Sequence, residues 1–201
     1  GEGYLDGNKS ITVNMQPNLI SSSAKARLMI SYNPLVQFAD DLDYLVQYPH
    51  GCVEQMTSSA FPQLYYADMV KSFYSKERPD LDPAYNVQET IRILQSMQMY
   101  NGALTYWPGG GYESWWGSIY AAHFLLEAKK AGYDVDQKTL DKLLGYLRTM
   151  LKQKKTYVYY YDKGLSVEMA AQEVFYSMYV LAVSGKAEMS MMNYYKANLS
   201  M

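Results

Sequence analysis

Cysteine is almost missing from this 201-residue chain, which has one, Cys52, and only two histidines, His50 and His123. A single cysteine cannot close an internal disulfide, and no second thiol supplies metal-ligand spacing. Cys52 is therefore an apolar filler, a spare thiol or a reactive group. No stretch approaches the roughly 20 consecutive apolar residues of a membrane span. The N-terminal "GEGYLDGNKS" also lacks the basic start and apolar run of a secretory signal. Runs of one charge are missing too: 18 Lys and Arg face 20 Asp and Glu, for a net charge of −2. No electrostatic footprint for nucleic acid or an anionic membrane is visible, so nucleic acid is not expected among the partners. No motif implies a cofactor or a metal ion.

What is present suits a buried core, because 49% of the residues are hydrophobic and the length fits one domain or a large piece of one. The chain carries 22 tyrosines and 13 methionines. Aromatic packing between many helices accounts for such a composition, and a sugar-binding surface is the rival account.

Residues 1–32 read as an extended lead-in from a preceding domain, since "SITVNMQPNLI" alternates apolar Ile11, Val13 and Met15 with polar neighbours until Pro17. From Asn33 the pattern turns helical. Asn33 caps, Pro34 suits the first helical position, and Leu35, Phe38, Leu42 and Leu45 recur at helical spacing. "CVEQMTSSAFPQLYYADMVKSFY" is helix-permissive, with Pro62 expected to kink or split it. "NVQETIRILQSMQMY" offers Asn86 and Glu89 at capping-box spacing. Further helices open at Ser114, Asp136 and Ser166, two of them closed by Gly132 and Gly185, and another begins near "EMSMMNYYKANL". The fold class expected is all-α, with a repeat of roughly 50 residues per helix pair. Because a helix such as that holding Trp115, Trp116, Ile119, Tyr120, Phe124 and Leu125 is apolar on more than one face, a ring of helical hairpins fits better than a lone bundle.

The chemistry concentrates in "YPHGCVEQMTSSAFP", residues 48–62. Cys52 sits at a helix N-terminus, where the macrodipole and free N–H groups stabilise a thiolate. Gln55 lies three residues on, within reach across one turn. A thiol that attacks the Gln55 carboxamide and expels ammonia leaves a thioester between the two side chains, and Gly51 lets the backbone bend close to that ring.

"GCVEQ" resembles the Gly-Cys-x-Glu-Gln thioester motif of the α2-macroglobulin and complement superfamily. The wider run looks like the bacterial α2-macroglobulin version, and "ALTYWPGGGYESWWGSIYAAHFLLEAKKAGY" resembles the Trp-Pro-Gly-Gly loop and following helix of the same domains. The resemblance covers residues from about Leu42 to Tyr133. It implies that residues 33–201 form a thioester domain, an α/α toroid of helical hairpins incomplete at its C-terminal end. It also implies a non-enzymatic, broad-spectrum protease-trapping inhibitor whose Gln55 acyl group ends on an amine of the protease. Cys52 and Gln55 would be the thioester pair, and Glu54 and Gly51 motif support. Target proteases and other domains of the same full-length chain follow as partners, with peptidoglycan synthases a further expected neighbour. A periplasmic or cell-envelope location is implied as well.

Departures from the family pattern also carry information. His50 stands where the motif usually has an aromatic, either as a modulator of the thiol or as a surface replacement. Some complement members use a distant histidine to direct transfer to hydroxyl groups, but residues 163–168 contain none and His123 lies elsewhere, which favours direct attack by amines. The shields expected against water are Tyr48, Pro49 and the aromatics around Trp107. Two other classes remain beside this reading. One is an α/α-toroid carbohydrate enzyme using a carboxylate pair such as Asp68 and Glu113, and the other is an interaction module that kept the fold and lost reactivity.

Overall fold

A computed structural model of the chain describes residues 6, 7, 10, 12, 28, 30, 32, 51–74, 82–162 and 164–198. The expected lead-in strand and the helix expected from Asn33 lie outside the described residues. Among the described residues, six helices and two small sheets follow in the order α1 (Val53–Tyr74), α2 (Pro83–Ser96), β1 (Leu104–Thr105), β2 (Glu113–Ser114), α3 (Trp115–Lys130), α4 (Gln137–Lys152), β3 (Thr156–Asp162), β4 (Leu165–Ala170), α5 (Gln172–Val183) and α6 (Met189–Asn198).

Helix α3 is the hub, packing against α1, α2, α4 and α5. Its sequence explains this position, since Ile119, Ala121, Ala122, Phe124, Leu125 and Ala128 are all buried and spread around the helix. A helix apolar on most sides is stable only when neighbours cover it. By contrast, α4 is a one-sided outer helix that turns Leu140, Leu143, Leu144, Leu147 and Leu151 inward.

The caps follow elementary chemistry. Ser114 Oγ accepts from the Gly117 N–H at 3.0 Å and starts α3. Asp136 accepts from Thr139 N–H at 2.7 Å and starts α4. At the end of α3, Gly132 adopts φ +91, and Tyr133 N–H donates to Ala128 C=O at 3.0 Å. This is the Schellman closure that the sequence suggests at Gly132.

Three expectations need correction. Helix α2 begins at Pro83, not Asn86, because Asp82 accepts from the Ala84 and Tyr85 N–H groups and Pro83 fixes the first helical φ. Asn86 is a buried cross-link whose Nδ2 donates to Gln63 Oε1 of α1 at 3.2 Å. Pro62 does not split α1, which runs unbroken through it, and Gln63 Nε2 reaches back to the Ser59 carbonyl at 2.9 Å. Finally, the fold is mostly helical but not purely so: residues 156–162 and 165–170 pair as antiparallel strands, Thr156 opposite Ala170 and Tyr159 opposite Val167. Ser166 therefore lies in a strand, and α5 starts at Gln172. The run "TYVYYY" is rich in β-branched and aromatic residues, which favour an extended backbone.

The contact between α1 and α3 is close enough to require glycine. A Cβ on Gly117 would stand 2.3 Å from Val53 Cγ1 and 2.9 Å from Ser114 Oγ. Val53 is fully buried and β-branched, so it cannot swing away. Gly117→Ala is expected to lower stability by about 1–3 kcal/mol, read as a shift in the urea midpoint at unchanged slope.

Candidate functional site

The site is built on the first turn of α1. Cys52 is its N-cap residue: its carbonyl accepts the Met56 N–H at 3.0 Å, and its side chain is only 3% exposed. Gln55, at the third helical position, curls its side chain back so that Oε1 accepts the Cys52 N–H at 3.1 Å. This is the second half of a capping box, in which the third residue of the helix satisfies the N–H of the cap residue. The usual Ser or Thr of that box is replaced here by cysteine. The Gln55 carboxamide is thus held against the Cys52 backbone by the geometry that starts the helix.

Gly51 permits the arrangement. It adopts φ +107, a left-handed region that side chains rarely enter. A Cβ there would lie 2.1 Å from Gln55 Oε1. Glu54 supplies a carboxylate in the first turn, where the helix dipole favours negative charge. Gln55 is exposed while Cys52 is buried. His50, Tyr48 and Pro49 lie outside the described residues.

The second wall is the β1–β2 hairpin. Leu104 pairs with Ser114 and Thr105 with Glu113, and the "YWPGGGY" tip turns through Gly109 at φ +71 and a Gly110 N–H to Trp107 C=O bond of 2.9 Å. The loop is a structural turn docked on the site, because Tyr106 C=O accepts the Val53 N–H at 3.0 Å. That bond satisfies another of the helix's partnerless donors. The neighbouring Cys52 side chain, then Glu54 and burial, push the pKa of Tyr106 above the ordinary tyrosine value. Trp107 stands edge-on to the Tyr106 ring at 5.7 Å and is 53% exposed.

Sequence reasoning singled out Trp107 and missed Tyr106. The signal available was the alternation of "LTY" and "YES" about a Pro-Gly-rich turn, which reads as a hairpin. Glu113, one half of the carboxylate pair weighed above, is occupied structurally: Asn101 Nδ2 donates to Oε2 at 2.7 Å and the Tyr146 hydroxyl to Oε1 at 3.2 Å. Asp68 lies in α1, and its side chain is outside the described residues.

His123 is removed from the thiol. It is half-buried among Phe61, Tyr176 and Tyr179, with Nδ1 3.0 Å from the Tyr176 hydroxyl. Burial lowers its pKa, Glu127 opposes that shift, and Lys130 adds to it. This is a packed histidine joining α1, α3 and α5.

No family model matches the chain. The α2-macroglobulin homolog of Yersinia pestis is 27% identical over 191 residues, covering 92% of this chain and 8% of that protein. The α2-macroglobulin of Escherichia coli K12 is 31% identical over 136 residues, covering 65% of this chain and 8% of that protein. The chain thus spans 8% of the length of each of these relatives. Native E. coli α2-macroglobulin superimposes with a TM-score of 0.62 at 25% identity, over 80% of this chain and 10% of that one. Two reacted forms also match. Trypsin-activated E. coli α2-macroglobulin gives 0.58 at 26%, over 76% of this chain and 11% of that one. Salmonella α2-macroglobulin reacted with methylamine gives 0.57 at 26%, over 78% of this chain and 10% of that one.

Two predictions follow from this geometry. Gly51→Ala is expected to cost about 1–2 kcal/mol from the left-handed backbone alone, plus the clash with Gln55. The extra part disappears when Gly51→Ala is made in a Gln55→Ala background, so urea unfolding of the four proteins reports a coupling between positions 51 and 55. The second concerns His123, whose folded-state pKa lies below its ordinary 6.5. The unfolded chain then binds the proton more readily, so the contribution of His123 to stability is complete above pH 6.5 and is lost as pH falls below it. Thermal melts are expected to drop between pH 7.5 and pH 5.5, with a smaller drop in His123→Gln.

Proposed function

We propose, from the premise that this chain is homologous to a segment of the bacterial α2-macroglobulins, that it is the thioester domain of a protease-trapping inhibitor and that Cys52 and Gln55 are its reactive pair. The observation that carries the reading is the Cys52 N–H to Gln55 Oε1 hydrogen bond of 3.1 Å. A capping contact of this kind holds the carboxamide against the backbone of the cysteine, and the N–H points at the oxygen on which charge would develop when the carbon is attacked.

In the proposed formation step, the Cys52 sulfur adds to the Gln55 side-chain carbonyl carbon. The negative charge on Oε1 is held by the Cys52 N–H. Collapse of the adduct breaks the C–N bond, the nitrogen leaves as ammonia carrying the thiol proton, and the C–S bond remains. In the capture step, a primary amine of the target adds to the same carbon, and the C–S bond breaks with its electron pair on sulfur. A new amide then joins the target to residue 55. The chain is consumed once rather than turned over, so the activity is covalent trapping and not enzymatic catalysis.

Thioesters are open to water, and a screen that excludes it must exist. Burial of the Cys52 sulfur supplies the inner half. Gln55, Trp107 and Tyr112 face outward, so the outer half falls to other domains of the same full-length chain. The remaining helices would belong to an α/α toroid. Target proteases are the covalent partners, a reading supported by the matching relative described as trypsin-activated. The methylamine-reacted relative supports small amines as probes. Peptidoglycan synthases and a periplasmic or envelope location complete the proposal; no helix among the described residues is long and apolar enough to cross a membrane. Glu54 supports the helix start, and His50 is proposed as a modulator of the thiol.

The test is intact-mass measurement of the full-length protein with and without methylamine. Uptake of one methylamine and release of one titratable thiol are expected, and both are abolished by Cys52→Ala. A mass and thiol count that do not change would overturn the reading.

A further inference from the structure

We propose that Thr105 is a positioning residue for the Cys52–Gln55 pair, its hydroxyl shaping the β1–β2 tip so that Tyr106 C=O reaches the first turn of α1; this rests on the thioester reading above. The observation behind it is how the backbone of Cys52 is held. Its N–H goes to Gln55 Oε1 at 3.1 Å, and its C=O accepts the Met56 N–H at 3.0 Å. The N–H of the same peptide unit, that of Val53, goes to Tyr106 C=O at 3.0 Å. The first two contacts belong to the start of α1 itself. Only the last comes from elsewhere in the fold, so the hairpin fixes the peptide that follows Cys52.

Thr105 sets the aim of that carbonyl. Its Oγ1 donates to Trp107 C=O at 2.8 Å, a bond that bridges from one side of Tyr106 to the other. Trp107 C=O also accepts the Gly110 N–H at 2.9 Å, and Tyr106 N–H donates to Tyr112 C=O at 3.0 Å. Thr105 is itself anchored: it is 6% exposed, and its N–H donates to Met97 C=O at 3.1 Å. Its hydroxyl is the part of this frame that a substitution removes without touching the backbone. In the chemistry proposed above, sulfur, acyl carbon and oxyanion donor must be in register, and a misplacement of about 1 Å is enough to slow such a step strongly. With the Cys52 backbone held, only side-chain torsions remain to place the sulfur. Thr105 makes no bond to the reacting atoms and exchanges no proton with them.

The test uses the full-length protein. Thr105→Val keeps the branched shape and removes the hydroxyl, and Thr105→Ser keeps the hydroxyl. Thr90→Val is the control, since it removes a fully buried hydroxyl of α2 that donates to Asn86 C=O at 2.8 Å. Thiol release by methylamine is expected to slow about three- to tenfold in Thr105→Val, the scale of one hydrogen bond. It is expected to recover in Thr105→Ser and to stay at the wild-type rate in Thr90→Val. Amide hydrogen exchange at Val53 is expected to quicken by a similar factor in Thr105→Val and not in the other two variants. Wild-type release and exchange in Thr105→Val, or equal slowing of release in Thr105→Val and Thr90→Val, would overturn the assignment. If the wild type takes up no methylamine, the thioester reading fails by itself, and exchange at Val53 still decides whether the Thr105 hydroxyl positions this turn.

Discussion

The first turn of α1 presents backbone N–H groups that no helical carbonyl can reach, and the way they are satisfied organises the site. Unpaired donors at a helix start must find side chains, water or another segment. Here the Cys52 N–H goes to its own helix through Gln55, and the Val53 N–H goes to a distant loop through Tyr106 C=O. One bond sets the internal geometry of the Cys52–Gln55 turn. The other docks a hairpin, with its aromatic tip, beside the same sulfur.

That docking depends on α3. The hairpin runs directly into it through Ser114, and Ser118 Oγ accepts the Leu104 N–H at 2.8 Å, tying strand to helix. Gly117 lets α3 approach Val53 of α1, and Trp115 Nε1 donates to Ser177 Oγ of α5 at 3.2 Å. Burial of Ile119, Phe124 and Leu125 contributes roughly 1.5–3 kcal/mol per side chain. Such close packing resists small shifts. The Cys52–Gln55 turn is therefore positioned by the hub of the core, although Gln55 itself is exposed.

Local chemistry was the most legible part of the sequence. Ser114, Asp136 and Gly132 act as caps because each needs only its immediate neighbours to do so. Asn86 misled because an equally local signal, Asp82 before Pro83, stood one turn earlier and left Asn86 free to bond Gln63. The β3–β4 hairpin was obscured because "SVEMAAQEVF" runs a strand into a helix without a breaker, and cross-strand pairing is not a local property. The proximity of Gln55 to Cys52 was visible through the three-residue spacing that matches a helical turn. Tyr106 was not, since its role depends on a hairpin that brings position 106 to position 53, and no periodicity encodes that distance.

The capping box also bears on why cysteine and glutamine would occupy these positions together. A serine cap would give an equally good helix start, and an oxygen nucleophile with poorer leaving ability. Glutamine, unlike glutamate, presents a neutral carbonyl that an adjacent thiolate can approach without charge repulsion, and it carries a leaving nitrogen. Under the proposed chemistry, the contact that closes the helix before reaction becomes part of the macrocycle afterwards. The Cys52 N–H then faces the acyl oxygen in both forms. Helix stability and acyl activation would draw on one hydrogen bond, so a substitution that improves the cap without preserving the carbonyl would strengthen the helix and remove the trap.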